Sequence, residues 1–240
     1  MSLLNSFAGY KLIHDYVYWY AMKHKGVIFD LDGTLIDTLP DIAASMNKAL
    51  EKNGFPVLET EAYREKVGWG IRALAGLCIP DADSLDNSAE IINRVADDAV
   101  EFYSEAPLVY TKPYPGINEL VSMLYSKRIK TAVLTNKPDS AARLIIQGLF
   151  PENYFGFIKG EIRGKPRKPD PACVWDLLVE MNLTPSEIIF AGDSEVDMET
   201  AVSSGCFPLG VSWGYRTREI ILKAGARSII NRPDELLELI

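Results

Sequence analysis

The sequence predicts an α/β fold: a Rossmann-like, doubly wound parallel sheet that carries a smaller helical unit after its first strand. Short apolar runs that do not alternate with polar residues recur along the chain, as is typical of strands buried on both faces of a parallel sheet. Helical i, i+3, i+4, i+7 patterns separate these runs and predict right-handed βαβ crossovers. The length of 240 residues accommodates a core of roughly 150 residues and a smaller second domain.

The predicted strands begin with Gly26–Asp30, an apolar run that ends at an acidic residue and a Gly-Thr turn. Further strands are predicted at residues 130–135, 155–159, 187–191, 207–211 and 228–230. The helical spacing within residues 174–181 predicts a helix that begins at Pro171, with Asp170 as its N-cap. A shorter helix is predicted to begin near Ser194.

Residues 39–111 show helical patterns without a convincing strand, so we predict that they form an inserted helical domain. Residues 26–38 and 112–240 then form the core domain. Residues 1–25 form an N-terminal extension to which the sequence assigns no role. In this extension, helical spacing is compatible with a docking helix that contains Leu12, Asp15, Tyr16 and Trp19.

Composition and charge exclude several functional classes. With 33 acidic and 25 basic side chains the net charge is −8, which argues against a nucleic-acid-binding or membrane-surface protein. No stretch approaches the roughly 18 apolar residues needed to span a bilayer. Both histidines, His14 and His24, precede the first strand, so a His-containing triad or a His-rich zinc site in the body of the protein is not expected. The widely spaced cysteines are expected to be reduced and buried in a cytoplasmic protein: Cys78, Cys173 and Cys206.

Two carboxylates stand at the end of the first strand, in the segment Asp30-Leu-Asp32-Gly-Thr34. In an open α/β sheet, ligands bind at the carboxyl ends of the strands. Two aspartates two residues apart repel each other unless a cation or a proton separates them. The pattern therefore indicates a site for a cation and an anionic ligand.

Three further segments follow strands or precede helices in the same way. Thr135 and Asn136 follow the second core strand, and Lys168 lies just before a predicted helix, with Lys165 as a competing candidate. Asp193 and Asp197 follow the strand at 187–191 and are expected to lie one helical turn apart. Four acids that converge at strand ends require a cation, and Mg²⁺ prefers such oxygen ligands.

Together, these four segments resemble the motifs of the haloacid dehalogenase superfamily of phosphotransferases. The resemblance implies that Asp30 attacks phosphorus and forms an aspartyl-phosphate, while Asp32 first protonates the leaving oxygen and then activates water. The Thr135 hydroxyl and the Asn136 amide would hold phosphoryl oxygens, and Lys168 would neutralise the nucleophile. Mg²⁺ would bind the side chains of Asp30 and Asp193 and the carbonyl of Asp32, with Asp197 orienting a water or Lys168.

Among these proteins, the chain most resembles phosphoglycolate phosphatase-like members, and its helical insertion resembles a C1-type cap. This resemblance implies that the substrate is a small phosphorylated metabolite, with 2-phosphoglycolate as the favoured one. The protein is expected to be a monomer or a homodimer. Arg72 is predicted to pair with a substrate carboxylate and Trp69 to wall the pocket. Pyrophosphatase, nucleotide phosphatase, sugar phosphatase and β-phosphoglucomutase-like phosphomutase activities share the core motifs, and a non-catalytic phosphate-binding protein is the alternative of another class. Gly68-Trp-Gly70-Ile-Arg-Ala73 fits a dinucleotide-binding fingerprint but lacks the preceding strand.

Overall fold

A parallel six-stranded sheet forms the centre of the protein, in a computed structural model that describes residues 24–240. Its strands are β1 (Gly26–Phe29), β4 (Lys130–Pro138), β5 (Phe157–Glu161), β6 (Ile188–Gly192), β7 (Phe207–Val211) and β8 (Ser228–Ile230). Two shorter strands, β2 (Ile36–Asp37) and β3 (Lys112–Pro113), form a separate antiparallel pair. The order in the large sheet is β5-β4-β1-β6-β7-β8, so β1 lies at its centre.

Helices cover both faces of the large sheet, which confirms the doubly wound α/β prediction. The core helices are α4 (Ile117–Ser126), α5 (Asp139–Leu149), α6 (Ala172–Met181), α7 (Glu195–Ser204) and α8 (Arg218–Lys223). Side chains of β1 alternate between the two layers: Val27 and Phe29 pack in the cluster that includes α4 and α5. Ile28 packs in the cluster that includes α6. Every residue of β1 is buried, which explains its unbroken apolar sequence.

Two strands of the sheet, β5 and β4, differ from their predicted bounds by more than one residue. Strand β5 begins at Phe157, two residues later than predicted, because the ring of Phe155 turns into the core and meets Phe29 and Phe150 edge to face. Strand β4 continues past Thr135 to Pro138 through a shift in register against β5. The extension of β4 places the residues after Thr135 at the carboxyl ends of the strands, which is where ligands bind in open α/β sheets.

A helical unit occupies residues 39–111 and contains α1 (Leu39–Lys52), α2 (Ile71–Cys78) and α3 (Ser88–Glu105). Helices α1 and α2 both pack against α3. The two passages between this unit and the core run side by side as β2 and β3, with Asp37 opposite Lys112. Buried Asp41 accepts hydrogen bonds from the amides of Tyr110 and Thr111, which joins the start of α1 to the returning chain. The division of the chain into two domains at these passages stays a prediction, and the bounds of the helices and strands are consistent with it.

Two sequence predictions concern other parts of the chain. The three cysteines are buried and free, as predicted. The helical spacing around Leu12 and Trp19 lies outside the described residues. Among residues 24–240, no helix combines the length and the apolar character that crossing a membrane requires.

Candidate active site

The first carboxylate, Asp30, stands where β1 ends at the centre of the sheet. Its amide still donates to the carbonyl of Ala191 on β6, at 2.9 Å, so the sheet ladder holds its backbone. Its side chain is buried, with Asp30 7% exposed. Gly33 then turns the chain with a φ of 87°, and a Cβ there would lie 2.4 Å from a carboxylate oxygen of Asp193. Glycine is therefore required here by both the backbone conformation and the close approach of that acid.

The lysine that reaches Asp30 is Lys168. Its Nζ lies 2.6 Å from Oδ1 of Asp30 and 2.6 Å from Oδ1 of Asp197. Although burial disfavours its charge, these two carboxylates hold the pKa of Lys168 above its ordinary value, so the ammonium stays charged. Lys165, the competing candidate, is exposed. Helix α6 starts one residue later than predicted, at Ala172, whose amide donates to the Asp170 carboxylate at 2.9 Å.

The acids after β6 are held by a dense set of donors. Asp193 accepts from the Thr34 hydroxyl at 3.1 Å and from the Tyr215 amide at 2.7 Å. Ser194 caps α7, and its amide donates to Oδ2 of Asp197 at 3.0 Å, so these two residues form a capping box. The capping box aims the other oxygen of Asp197 at Lys168. The predicted start of this helix near Ser194 is confirmed.

Three buried carboxylates of the site lie close together, and the single ammonium of Lys168 contacts only two of them. Oxygens of Asp30, Asp193 and Asp197 all lie within 4.8 Å of one another, and all three residues are buried. Burial, followed by the charge of Asp197, raises the pKa of Asp30 well above its ordinary value and that of Asp193 to about 7. A hard divalent cation suits this donor set, since carboxylate oxygens are its preferred ligands and its charge would offset their repulsion.

The Asp32 carboxylate points to a different set of partners. It accepts from the Thr38 hydroxyl at 2.7 Å and from Nζ of Lys137 at 3.1 and 3.2 Å. Burial opposes the charge of Lys137, but Asp32 raises the Lys137 pKa above its ordinary value. The ammonium also lies 4.3 Å from the ring centroid of Tyr103 on α3, within range of a cation–π contact. Sequence reasoning did not assign a role to Lys137 or Tyr103, although Lys137 belongs to the segment Thr135-Asn-Lys-Pro138.

Thr135 and Asn136 are buried on the same edge of the sheet. The Thr135 hydroxyl accepts from the Lys137 amide at 3.1 Å. The Asn136 side chain donates to the carbonyls of Lys168 and Gly68 at 3.0 and 3.1 Å. Asn136 therefore connects the lysine segment to the helical unit, while its predicted phosphate-binding group, the main-chain amide, stays a prediction.

A cavity of about 70 Å³ separates these core residues from the helical unit. The core contributes charged and polar groups to its wall, among them Asp30, Asp32, Thr135, Asn136 and Lys137. The helical unit contributes a wall that is mainly apolar, with Ile42, Val67, Ile71, Leu74, Ala99, Val100 and Tyr103 among its members. The arrangement places the Asp30 and Asp32 carboxylates on the wall of a small covered space.

Two predicted specificity residues do not line this cavity. The Arg72 guanidinium binds Oδ1 of Asn93 and Oδ1 of Asp97, both at 3.0 Å, across the α2–α3 contact. Ile71 and Leu74 face the cavity from the same helix, so Arg72 points around the helix axis and away from it. Trp69 donates from Nε1 to Glu195 at 3.3 Å and lies at the seam between the helical unit and the core. The structure thus brings Asp30, Asp32, Thr135, Asn136, Lys168, Asp193 and Asp197 together and leaves Arg72 outside.

The carboxylates and lysines of this site lie at the carboxyl ends of the strands of a doubly wound sheet, and comparison with known proteins defines the family. The chain belongs to the haloacid dehalogenase-like hydrolases, since the model of that family matches residues 27–211. This confirms the resemblance inferred from the four motifs and makes the chain a hydrolase of that family.

Similar proteins are phosphatases by name. A phosphoglycolate phosphatase of Pseudomonas putida is 32% identical over 192 residues, which cover 79% of this chain and 70% of the relative. One from Rhodospirillum rubrum is 33% identical over 212 residues, covering 86% of this chain and 87% of the relative. The crystal structure of a predicted phosphoglycolate phosphatase from Haemophilus somnus superimposes with a TM-score of 0.82 at 27% identity, covering 91% of this chain and 99% of that one.

Proposed function

We propose that this chain is a Mg²⁺-dependent phosphomonoester hydrolase that uses Asp30 as its nucleophile and acts on 2-phosphoglycolate. The observation that carries the proposal is the buried contact of Lys168 with Asp30, which lines the covered cavity together with Asp32. The names of the similar proteins support the substrate. The cavity of about 70 Å³ also favours a small leaving group, since sites for larger ligands enclose roughly 300 Å³ or more.

In the first half-reaction, a carboxylate oxygen of Asp30 attacks phosphorus and an aspartyl-phosphate forms. The bond from phosphorus to the leaving oxygen breaks, and a protonated Asp32 gives its proton to that oxygen, which departs as the alcohol of glycolate. Lys168 offsets the charge of Asp30 and of the equatorial phosphoryl oxygens as the bond order changes.

In the second half-reaction, Asp32 acts in the opposite sense. Its carboxylate takes a proton from water while the water oxygen attacks phosphorus, and the bond from phosphorus to Asp30 breaks. Inorganic phosphate leaves, Asp30 is again a carboxylate and Asp32 is again protonated. Lys137 and Thr38 hold the Asp32 carboxylate in one orientation for both steps.

The carboxylates of Asp30 and Asp193 and the carbonyl of Asp32 would hold the magnesium ion. When bound, the ion supplies positive charge that offsets the negative charge of the phosphoryl group. Asp197, whose two oxygens bind Lys168 and Ser194, positions the lysine. Burial and the charge of Asp197 raise the pKa of Asp193 to about 7, and a bound cation would offset both effects.

Phosphate release from a panel of phosphomonoesters tests the proposal, with 2-phosphoglycolate, pyrophosphate, nucleotides and hexose phosphates each assayed in Mg²⁺ and in EDTA. We expect Mg²⁺-dependent release that is fastest from 2-phosphoglycolate. Faster release from another member would keep the chemistry and reject the substrate. No release from any member would reject hydrolysis and favour a phosphomutase, which product analysis of hexose phosphates would reveal, or a phosphate-binding protein.

A further inference from the structure

The segment that closes the cavity on one side is the covering loop, defined here as residues 64–70 between the short 3-10 turn Thr60–Tyr63 and α2. Val67, Gly68 and Gly70 of this loop line the cavity. The loop belongs to the helical unit, yet four of its carbonyl oxygens accept hydrogen bonds from side chains of the core. Its position over Asp30 therefore depends on core residues, of which only Asn136 belongs to the four motifs.

Arg216, which follows β7, makes the largest share of these contacts. Its Nη1 donates to the carbonyl of Arg64 at 2.6 Å, and its Nη2 donates to the carbonyl of Val67 at 2.7 Å. Its Nε donates to Oε2 of Glu195 at the start of α7, at 3.0 Å. Arg216 is 7% exposed, so its guanidinium is committed to these partners. The fork of the guanidinium thus spans the core and two points of the loop, which a lysine cannot do.

The other half of the loop is held in the same manner. Asn136 donates to the carbonyl of Gly68 at 3.1 Å, and Nη1 of Arg167 donates to the carbonyl of Trp69 at 2.7 Å. A Cβ at Gly70 would lie 2.4 Å from Nη1 of Arg167, and the φ of Gly70 is 85°. A side chain at this position would therefore displace Arg167. Glycine at position 70 is what allows the arginine to come this close to the loop.

We propose that Arg216 is a positioning residue that holds the covering loop over the nucleophile. Asn136 and Arg167 hold the same loop, and the hydrogen bonds of these three side chains to the loop carbonyls are called the clasp. Because the clasp binds main-chain carbonyls, it holds the loop without a contact to the leaving group of the substrate. Arg216 also directly follows Tyr215, whose amide binds Asp193, so one segment holds both the loop and the carboxylate cluster. The consequence for turnover rests on the proposed phosphatase function, but the clasp itself does not.

Limited trypsin digestion tests the clasp without any activity. The loop contains a cleavage site after Lys66, and proteolysis of a transiently open segment follows the population of the open form. Each hydrogen bond from a charged donor contributes about a tenfold factor or more to such an equilibrium. We expect Arg216→Met to speed cleavage after Lys66 at least about tenfold and Arg216→Lys to speed it less. The matched control is Arg232→Met, because Arg232 is an exposed arginine that pairs with Asp234 away from the loop.

Cleavage after Lys66 at the wild-type rate in Arg216→Met would overturn the clasp. If Arg216→Met does not fold, Arg216→Lys carries the same test, and cleavage at the wild-type rate in that variant overturns the clasp too. Faster cleavage at all tryptic sites together would show global unfolding and also count against a local clasp.

A kinetic measurement tests the positioning role. A loop held over Asp30 confines a small leaving group, whereas the aryl leaving group of p-nitrophenyl phosphate is larger and chemically activated, so its release depends less on the loop. We expect Arg216→Met to lower kcat/KM for 2-phosphoglycolate about tenfold more than kcat/KM for p-nitrophenyl phosphate. An equal loss for both substrates would overturn the positioning role. Wild-type protein that releases no phosphate from 2-phosphoglycolate would instead reject the proposed substrate, and trypsin digestion would still decide the clasp.

Discussion

Replacing Lys168 with methionine removes the cation at the centre of the carboxylate cluster while keeping much of the side-chain volume. Lys168 is 3% exposed, and its Nζ lies 2.6 Å from oxygens of both Asp30 and Asp197. Removing one partner of a buried ion pair costs about 3–5 kcal/mol, because the charges left behind are desolvated and unpaired. We therefore expect Lys168→Met to lower the free energy of unfolding by about 3–5 kcal/mol at pH 8, measured by urea unfolding in EDTA.

The loss of stability in Lys168→Met depends on pH with a definite sign. In the folded protein, burial and the charge of Asp197 raise the pKa of Asp30 well above its ordinary value and that of Asp193 to about 7. Without Lys168 these carboxyl groups retain protons to still higher pH. Protonation relieves the repulsion, so the variant regains stability at low pH and loses it as pH rises through the folded-state pKa values. We expect its deficit relative to wild type to shrink between pH 8 and pH 5.5.

The matched control is Lys165→Met, which removes the same charge from an exposed position three residues earlier. Surface substitutions of this kind change stability by about 0.5 kcal/mol or less. Lys168→Met should also lower kcat by roughly 10²–10³-fold, the usual cost of losing one preorganised charge at a reacting group. Equal unfolding midpoints for the two variants at pH 8, together with wild-type turnover in Lys168→Met, would refute both the buried pair and its catalytic role.

Three further outcomes are expected. Asp30→Asn should abolish phosphate release while circular dichroism and Tm show a folded protein, and measurable turnover would remove Asp30 as the nucleophile. In EDTA, the free energy of unfolding should fall as pH rises through the pKa of about 7 of Asp193, since a pKa raised from 3.8 to this value corresponds to about 4 kcal/mol. Mg²⁺ should therefore raise Tm more at pH 8 than at pH 5.5. An equal increase at both pH values would contradict the cation site. Burial raises the thiol pKa of Cys78, Cys173 and Cys206 to about 11. At pH 8 these thiols should therefore not react with a disulfide reagent in the native protein, although the same reagent should label them rapidly in urea.

The sheet and the residues at its strand ends could be predicted because each depends on a short segment of chain. The run Gly26–Asp30 is apolar up to its last residue, so both the strand and the position of the first carboxylate follow from local sequence. The carboxyl ends of parallel strands meet at one edge, and this rule alone brings Asp30 near Asp193. Lys168 could be chosen over Lys165 because Asp170 and Pro171 mark the start of the next helix.

Arg72 shows where such reasoning stops. Its positive charge and its place in the helical unit made it a candidate to bind a substrate carboxylate, and the structure does place Arg72 in that unit. The direction of its side chain depends on how α2 rotates against α3, and that rotation buries Leu74 and leaves Arg72 beside Asn93 and Asp97. The helical period defines which residues share a face, but it does not say which face meets the cavity.

Contacts between the helical unit and the core were missed for a related reason. Lys137 meets Asp32, which lies 105 residues earlier, and Tyr103 on α3 covers its ammonium. The strand register shift after Leu134 turns Lys137 toward this edge of the sheet, and no short-range pattern signals such a shift. Arg216 likewise binds two main-chain carbonyls of the covering loop, and because every residue possesses such a group, these two contacts leave no trace in the sequence of the loop. Residues that act on the reacting phosphoryl group must have particular side chains and are found by motif, whereas residues that place one unit over the other are found only from the assembled fold.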